Sequence, residues 1–171
     1  AGAVADTHSL LVGISRYSDS APLRSQGISA PNLPAAENDV DLLRRLLDRL
    51  SVREQCTVLL NERATYDNVV EALLRLRDVA GADDAVVVYF TLHGASIYEG
   101  GKLKARALLL WDQELPGRAL RYRFGQLRAR DKTLIVDSCF AAGADKSIHG
   151  SGEPLAKSII VLREPTSAEP D

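Results

Sequence analysis

Ala85-Val86-Val87-Val88-Tyr89-Phe90, followed by Thr91-Leu92-His93-Gly94, is the stretch on which the fold turns. A continuous apolar run rich in β-branched and aromatic residues reads as a strand covered on both faces, the mark of a parallel sheet. A second such run, Thr133-Leu134-Ile135-Val136, leads into Asp137-Ser138-Cys139-Phe140. Open α/β sheets place their chemistry in the loops that follow the carboxyl ends of their strands. His93 and Cys139 are therefore expected on one rim.

Outward from these two runs, strand and helix patterns alternate. Residues 8–14 read as a first strand and residues 15–34 as a long polar loop containing Gly and Pro. Val40, Leu43, Leu47 and Leu50 recur at helical spacing with acidic residues at the amino end of the run, which predicts a helix over 35–50. A short strand at 56–60 follows, then a helix with Thr65 as its N-cap and Val69, Leu73 and Leu76 on its inner face. Beyond His93 the pattern predicts a Gly-containing loop, a short strand or hairpin arm at 107–111, and a helix near 122–130. Residues 144–154 turn Gly-, Ser- and charge-rich, residues 158–162 read as one more strand, and residues 164–171 as a free tail. The fold class is α/β, with a mostly parallel central sheet and helices on both faces.

The chain of 171 residues is long enough for one domain with a sizeable core, and 46% of it is apolar. A net charge of −2 offers no basic field for a nucleic-acid backbone, and no apolar run approaches a membrane span. Neither nucleic acid nor a membrane is an expected partner. Cys56 and Cys139 are too few for a disulfide scaffold, which favours a reducing compartment, and with no targeting signal the expected location is cytoplasmic. No methionine occurs, so the sequence is read as a processed or excised part of something longer.

Cysteine is among the most buried residue types, so Cys139 alone would read as packing. Paired with a histidine at a neighbouring strand end it has a second reading. A thiolate attacks a peptide carbonyl while an imidazole takes up and returns the proton. The small residues Ala141-Ala142-Gly143 let the backbone turn sharply behind the thiol, and the amides of Gly94 and Cys139 can face a developing oxyanion. Cys56 reads as core, and His8 and His149 have no partner pattern. No His/Cys cluster has zinc spacing, so no metal site is expected.

Four ordered motifs carry a family resemblance. His8-Ser9-Leu10-Leu11-Val12-Gly13-Ile14 with Tyr17 resembles a first strand of the caspase-like superfamily, and Leu33-Pro34-Ala35-Ala36-Glu37-Asn38-Asp39-Val40 resembles its Leu-x-x-x-x-Asn-Asp-Ala segment. Tyr89-Phe90-Thr91-Leu92-His93-Gly94 resembles Tyr-Phe-Ser-Gly-His-Gly, and Ile135-Val136-Asp137-Ser138-Cys139-Phe140 resembles Leu-Asp-Ser-Cys-His. The histidine lies 46 residues before the cysteine, near the spacing of about 50 seen in caspases. The chain is thus similar to the large-subunit region of this superfamily, nearest to bacterial metacaspase-like or orthocaspase-like members.

The resemblance implies a caspase-like three-layer fold with His93 as general acid/base and Cys139 as nucleophile. It implies that Asp39 and Asp137 line the pocket for the residue before the scissile bond, where two carboxylates favour Arg or Lys. Read without the resemblance, Asp39 is a helix-dipole residue and Asp137 a hydrogen-bonded strand-end carboxylate. The resemblance also divides the chain into a tail at 1–6, a catalytic region at 7–145, and a linker, one strand and tail at 146–171. The small-subunit region is then largely missing, to be completed by further sequence or a second chain. Lys146, Lys157 and Arg163 suit self-processing after basic residues, whereas Asp171 suits a cut after aspartate. No cofactor is required. Calcium activates some metacaspase-like members, but no ligand set maps here, and Asp112, Glu114 and Asp145 read as solvated charges. Leu92 replaces the usual glycine before the histidine, where a bulky side chain would narrow the cleft, and Ala141-Ala142 replaces the usual Ser-Gly. The alternatives are a silent caspase-like interaction module and a caspase-type protease cleaving after Asp. A phosphate-binding α/β enzyme lacks both the Gly-rich loop and a nucleophile-elbow serine.

Overall fold

Strand β1 (Thr7–Gly13) lies between β2 (Glu54–Leu60) and β3 (Ala85–Thr91), and β7 (Asp131–Ser138) extends the sheet beyond β3. All four are parallel. The computed structural model describes residues 5–17, 30–51, 53–99, 102–138 and 158–164. The further strand expected near 158–162 is β8 (Ser158–Glu164), antiparallel to β7 at the sheet edge.

The chain's path explains why both faces carry helices. From β1 it crosses through α1 (Ala36–Leu50) to β2 on one side, then returns through α2 (Tyr66–Val79) to β3 on the other. Crossovers of one hand running in opposite directions must lie on opposite faces. The packing follows that rule. Leu11 and Tyr89 pack against Val40 and Leu47 of α1, with Leu43, Val87 and Ile135 partly buried around them. Leu10, Val12, Val88, Phe90 and Leu134 form the larger core with Val69, Leu73 and Leu76 of α2. Burying each such side chain contributes roughly 1.5–3 kcal/mol. The reversal between β1 and β3 makes their carboxyl ends the topological switch point, where open sheets leave a crevice.

Gly13, the last residue of β1, lets α1 come close. A Cβ there would lie 2.8 Å from Val40 Cγ2, 3.2 Å from the Ala36 carbonyl oxygen and 3.2 Å from Leu60 Cδ2. Thr65 caps α2 as expected, its hydroxyl accepting from Asn68 N at 3.3 Å.

The structure corrects three expectations after residue 93. The segment behind His93 is not a loop: β4 (Gly94–Glu99) pairs antiparallel with β5 (Lys102–Leu109), which pairs with β6 (Glu114–Pro116) in a three-stranded sheet. The expected hairpin arm is the end of β5. The helix expected near 122–130 is α3 (Gly117–Gly125), begun by Pro116, whose φ of −59° suits a helix start, and anchored by buried Leu120 and Phe124. Asp112 is not a solvated charge, because its Oδ1 accepts from Tyr66 N at 2.8 Å and so tethers the amino end of α2. The expected linker at 144–154 and residues 165–171 of the expected tail lie outside the described residues, and Glu164, expected to begin that tail, ends β8.

Candidate functional site

Asn61 sets the exit of the chain from β1. It follows β2 with a φ of 47°, a left-handed conformation that asparagine tolerates better than most residues. Its buried side chain accepts from Ser15 N at 2.9 Å and Arg16 N at 3.1 Å, while Nδ2 donates to Glu37 Oε1 at 2.7 Å. Ser15 Oγ in turn accepts from Glu37 N at 2.9 Å, serving an α1 amino end that has no side-chain cap of its own at Ala35. The β1 exit, the β2 exit and the start of α1 are thereby tied together at the switch point. An open cavity of about 340 Å³ sits there, lined by Ser15, Arg16, Asn32, Pro34, Glu37 and Asn38.

His93 leaves β3 into the same region. Leu92 is turned into the core at 2% exposure and its N donates to Asp137 O at 3.4 Å, so its bulk fills the interior rather than the cleft. The imidazole is partly buried and its Nε2 lies 2.7 Å from the Pro31 carbonyl oxygen. A carbonyl can only accept, so Nε2 carries the proton and Nδ1 keeps its lone pair. Burial pulls the His93 pKa below the usual histidine value, with the Pro31 contact opposing it. The ring is a neutral base near pH 7.

Gly94 opens the edge strand β4 opposite Leu108. Leu109 N donates to His93 O at 2.8 Å, which makes Gly94 and Leu108 the non-hydrogen-bonded pair of the ladder. The Gly94 amide therefore points away from β5. Cys139 lies outside the described residues; the strand that leads to it ends at Ser138, and that strand's Asp137 stands in register with Thr91 of β3.

Asp39, in the first turn of α1, and Asp137, at the end of β7, are both partly buried. Tyr89 lies in β3, next to the strand that carries Asp137. This buried phenol is pushed up to about 12, first by burial, and further by the charges of Asp137 and Asp39 against an opposing hydrogen bond from Thr91. Among the described residues no group of three or more His, Cys, Asp or Glu side chains could hold a metal ion, and no helix is long and apolar enough to cross a membrane. Asp145 lies outside the described residues. Cys56 is half-buried and burial pushes its thiol up, away from reactivity.

A family model described as the caspase domain matches residues 7–167. The chain belongs to the caspase family. That family is one of cysteine peptidases, and the parallel sheet with helices on both faces agrees with its fold. The fold is also similar to the crystal structure of protein GSU0716 from Geobacter sulfurreducens, with a TM-score of 0.65 at 20% identity. The match covers 79% of this chain and 50% of that one, so the chain spans about half the length of that protein. No curated protein matches.

Within this caspase domain, sequence reasoning missed the groups that hold the histidine. Pro31 acts through a backbone carbonyl, for which no residue type is a signal. Asn61 carried a faint one, an asparagine directly after an apolar strand, where left-handed turns begin. Tyr17 was visible only as a motif position without a role.

Proposed function

We propose that this caspase domain is the catalytic region of a cysteine endopeptidase of the metacaspase-like or orthocaspase-like kind, cleaving proteins after Arg or Lys. Cys139 is the nucleophile and His93 the base. The observation that carries the reading is the grip of Pro31 on Nε2, which leaves Nδ1 able to take the thiol proton at the sheet rim where the strand that precedes Cys139 in the sequence ends. Thiolate attack on the scissile carbonyl forms the S–C bond, and the imidazolium returns its proton to the departing amine. Water, deprotonated by His93, then hydrolyses the thioester. The amides of Gly94 and Cys139 receive the oxyanion; a single donor of this kind is worth about 2.7–4 kcal/mol in other proteases.

Asp39 and Asp137 hold the basic side chain before the scissile bond. Asp39 in the first turn of α1 and Asp137 near the carboxyl end of β7 support one shared pocket, and two negative charges there favour guanidinium or ammonium over carboxylate. The region beyond residue 145 acts as linker and partial small subunit, with further sequence or a second chain completing the fold; the half-length match to the Geobacter protein supports this. The enzyme works in the cytoplasm without a required cofactor, and calcium, where it acts, acts as an activator.

The test is cleavage of two fluorogenic peptides that differ only in Arg or Asp before the scissile bond, by the full protein and its Cys139→Ala variant, with and without calcium. Cleavage after Arg that vanishes in the variant supports the assignment. Preference for Asp removes the pocket assignment but keeps the nucleophile, and silence toward both in a folded protein favours the interaction module.

A further inference from the structure

Tyr17 is 2% exposed and contacts His93 through both its ring and its hydroxyl. Its ring lies 5.3 Å from the imidazole, centroid to centroid, at 41°. Its backbone N donates to Asn32 Oδ1 at 3.1 Å, which ties it to the residue after Pro31, whose carbonyl grips Nε2.

The hydroxyl does something less usual. His93 and Leu109 are the hydrogen-bonded pair next to Gly94 and Leu108, where an antiparallel ladder makes two direct bonds. One is present: Leu109 N donates to His93 O at 2.8 Å. The other is replaced by a relay, in which His93 N donates to the Tyr17 hydroxyl at 3.3 Å and that hydroxyl donates to Leu109 O at 2.8 Å. A phenol thus sits in the ladder as a bridging water would, and holds the His93 backbone away from β5. Burial raises the pKa of this phenol well above the usual tyrosine range, so it keeps the proton that the relay needs and is not an acid or base in the reaction.

We propose that Tyr17 is the positioning residue for His93, wedging the β4–β5 ladder open so that the imidazole meets the Pro31 carbonyl and keeps Nδ1 as the free lone pair. The proposal rests on the reading of His93 as the base. Without the hydroxyl, His93 N and Leu109 O either lose their partners or close the direct ladder bond, and closure draws His93 toward β5 and off Pro31.

The test is Tyr17→Phe in the full protein, which keeps the ring and removes the wedge. Nitrogen-15 spectra of the labelled imidazoles, with His93→Ala to assign the signal, report the tautomer of His93 independently of catalysis. The expected result is a single Nε2-protonated tautomer in the parent, a mixed population in Tyr17→Phe, and a kcat lower by about tenfold with KM little changed. Asn32→Ala, on an exposed residue, is expected to shift the same signal and is the substitute should Tyr17→Phe not fold. An unchanged tautomer and unchanged kcat in a folded variant overturns the proposal. A shifted tautomer in a protein that cleaves nothing upholds the positioning role and removes the protease reading instead.

Discussion

Two histidines stand at opposite ends of the central sheet, and their partners differ in kind. His8, at the amino end of β1, is 3% exposed and its Nε2 lies 3.4 Å from Asp84 Oδ2, a carboxylate that also accepts from Asp6 N at 2.9 Å and Gly81 N at 2.8 Å. Those amides, the Asp6 one foremost, hold Asp84 below the usual carboxylate range, with His8 adding to them. His93, past the carboxyl end of β3, meets a neutral carbonyl and is drawn below the usual histidine value by burial. The partner of His8 carries a charge; the carbonyl at His93 fixes the tautomer without supplying one. The same side chain meets a carboxylate at one end and, at the other, is the base of the proposed mechanism.

Substituting each histidine separates the two roles. His93→Ala is expected to lower kcat by about 10²–10⁴-fold, the usual worth of a positioned acid/base, with the thermal midpoint little changed. His8→Ala should leave kcat alone and cost about 1–3 kcal/mol of stability, measured by urea unfolding. A large kinetic effect at His8 would erase the distinction.

The carboxylates come next in size. Asp39→Asn and Asp137→Asn are each expected to reduce kcat/KM for an Arg peptide by roughly 10- to 100-fold, the range of a charge-assisted hydrogen bond, chiefly through KM. Gly13→Ala acts on the start of α1, which carries Asp39, since its Cβ would press on Val40 and the Ala36 carbonyl. It should cost about 1–3 kcal/mol in denaturant unfolding.

The smallest effects are in pH dependence. The acid limb of kcat/KM should fall below the ordinary histidine value of about 6.5, because a ring with a depressed pKa stays a base to lower pH. The unfolded chain then binds a proton before the folded one does, so this group lowers stability as pH falls through that value. Asp84 acts at lower pH: its depressed pKa contributes stability that is full above about 3.9 and lost as pH falls through the folded value. Asp84→Asn should therefore unfold more easily at pH 7 and converge with the parent in acid.

How legible each region was follows from what kind of group does the work. β1, β3 and β7 announced themselves because strands covered on both faces need unbroken apolar runs, and Thr65 because a cap requires a particular side chain. The β4–β5 hairpin was hidden, since Gly94-Ala95-Ser96 and Lys102-Leu103-Lys104 lack the apolar density of a covered strand. α3 was misplaced because it is flanked by glycines and buries only Leu120 and Phe124. Asp112 looked solvated because its partner, the Tyr66 amide, is 46 residues away in the chain. The roles proposed for His93, Gly94, Asp39 and Asp137 could be read from motifs. The carbonyl of Pro31 and the wedge of Tyr17 could not, because backbone groups and long-range contacts leave no mark on residue type.

The most direct measurement is peptide mapping after treatment with two thiol-directed peptide warheads that differ only in ending with Arg or Asp, applied to the full protein and to Asp39→Asn and Asp137→Asn. The expected result is rapid modification of Cys139 by the Arg reagent, little by the Asp reagent, and a slower Arg reaction in both variants. Equal labelling by the two reagents, or labelling of Cys56 in preference to Cys139, would contradict the assignment of an acidic pocket beside a thiolate at the rim of this sheet.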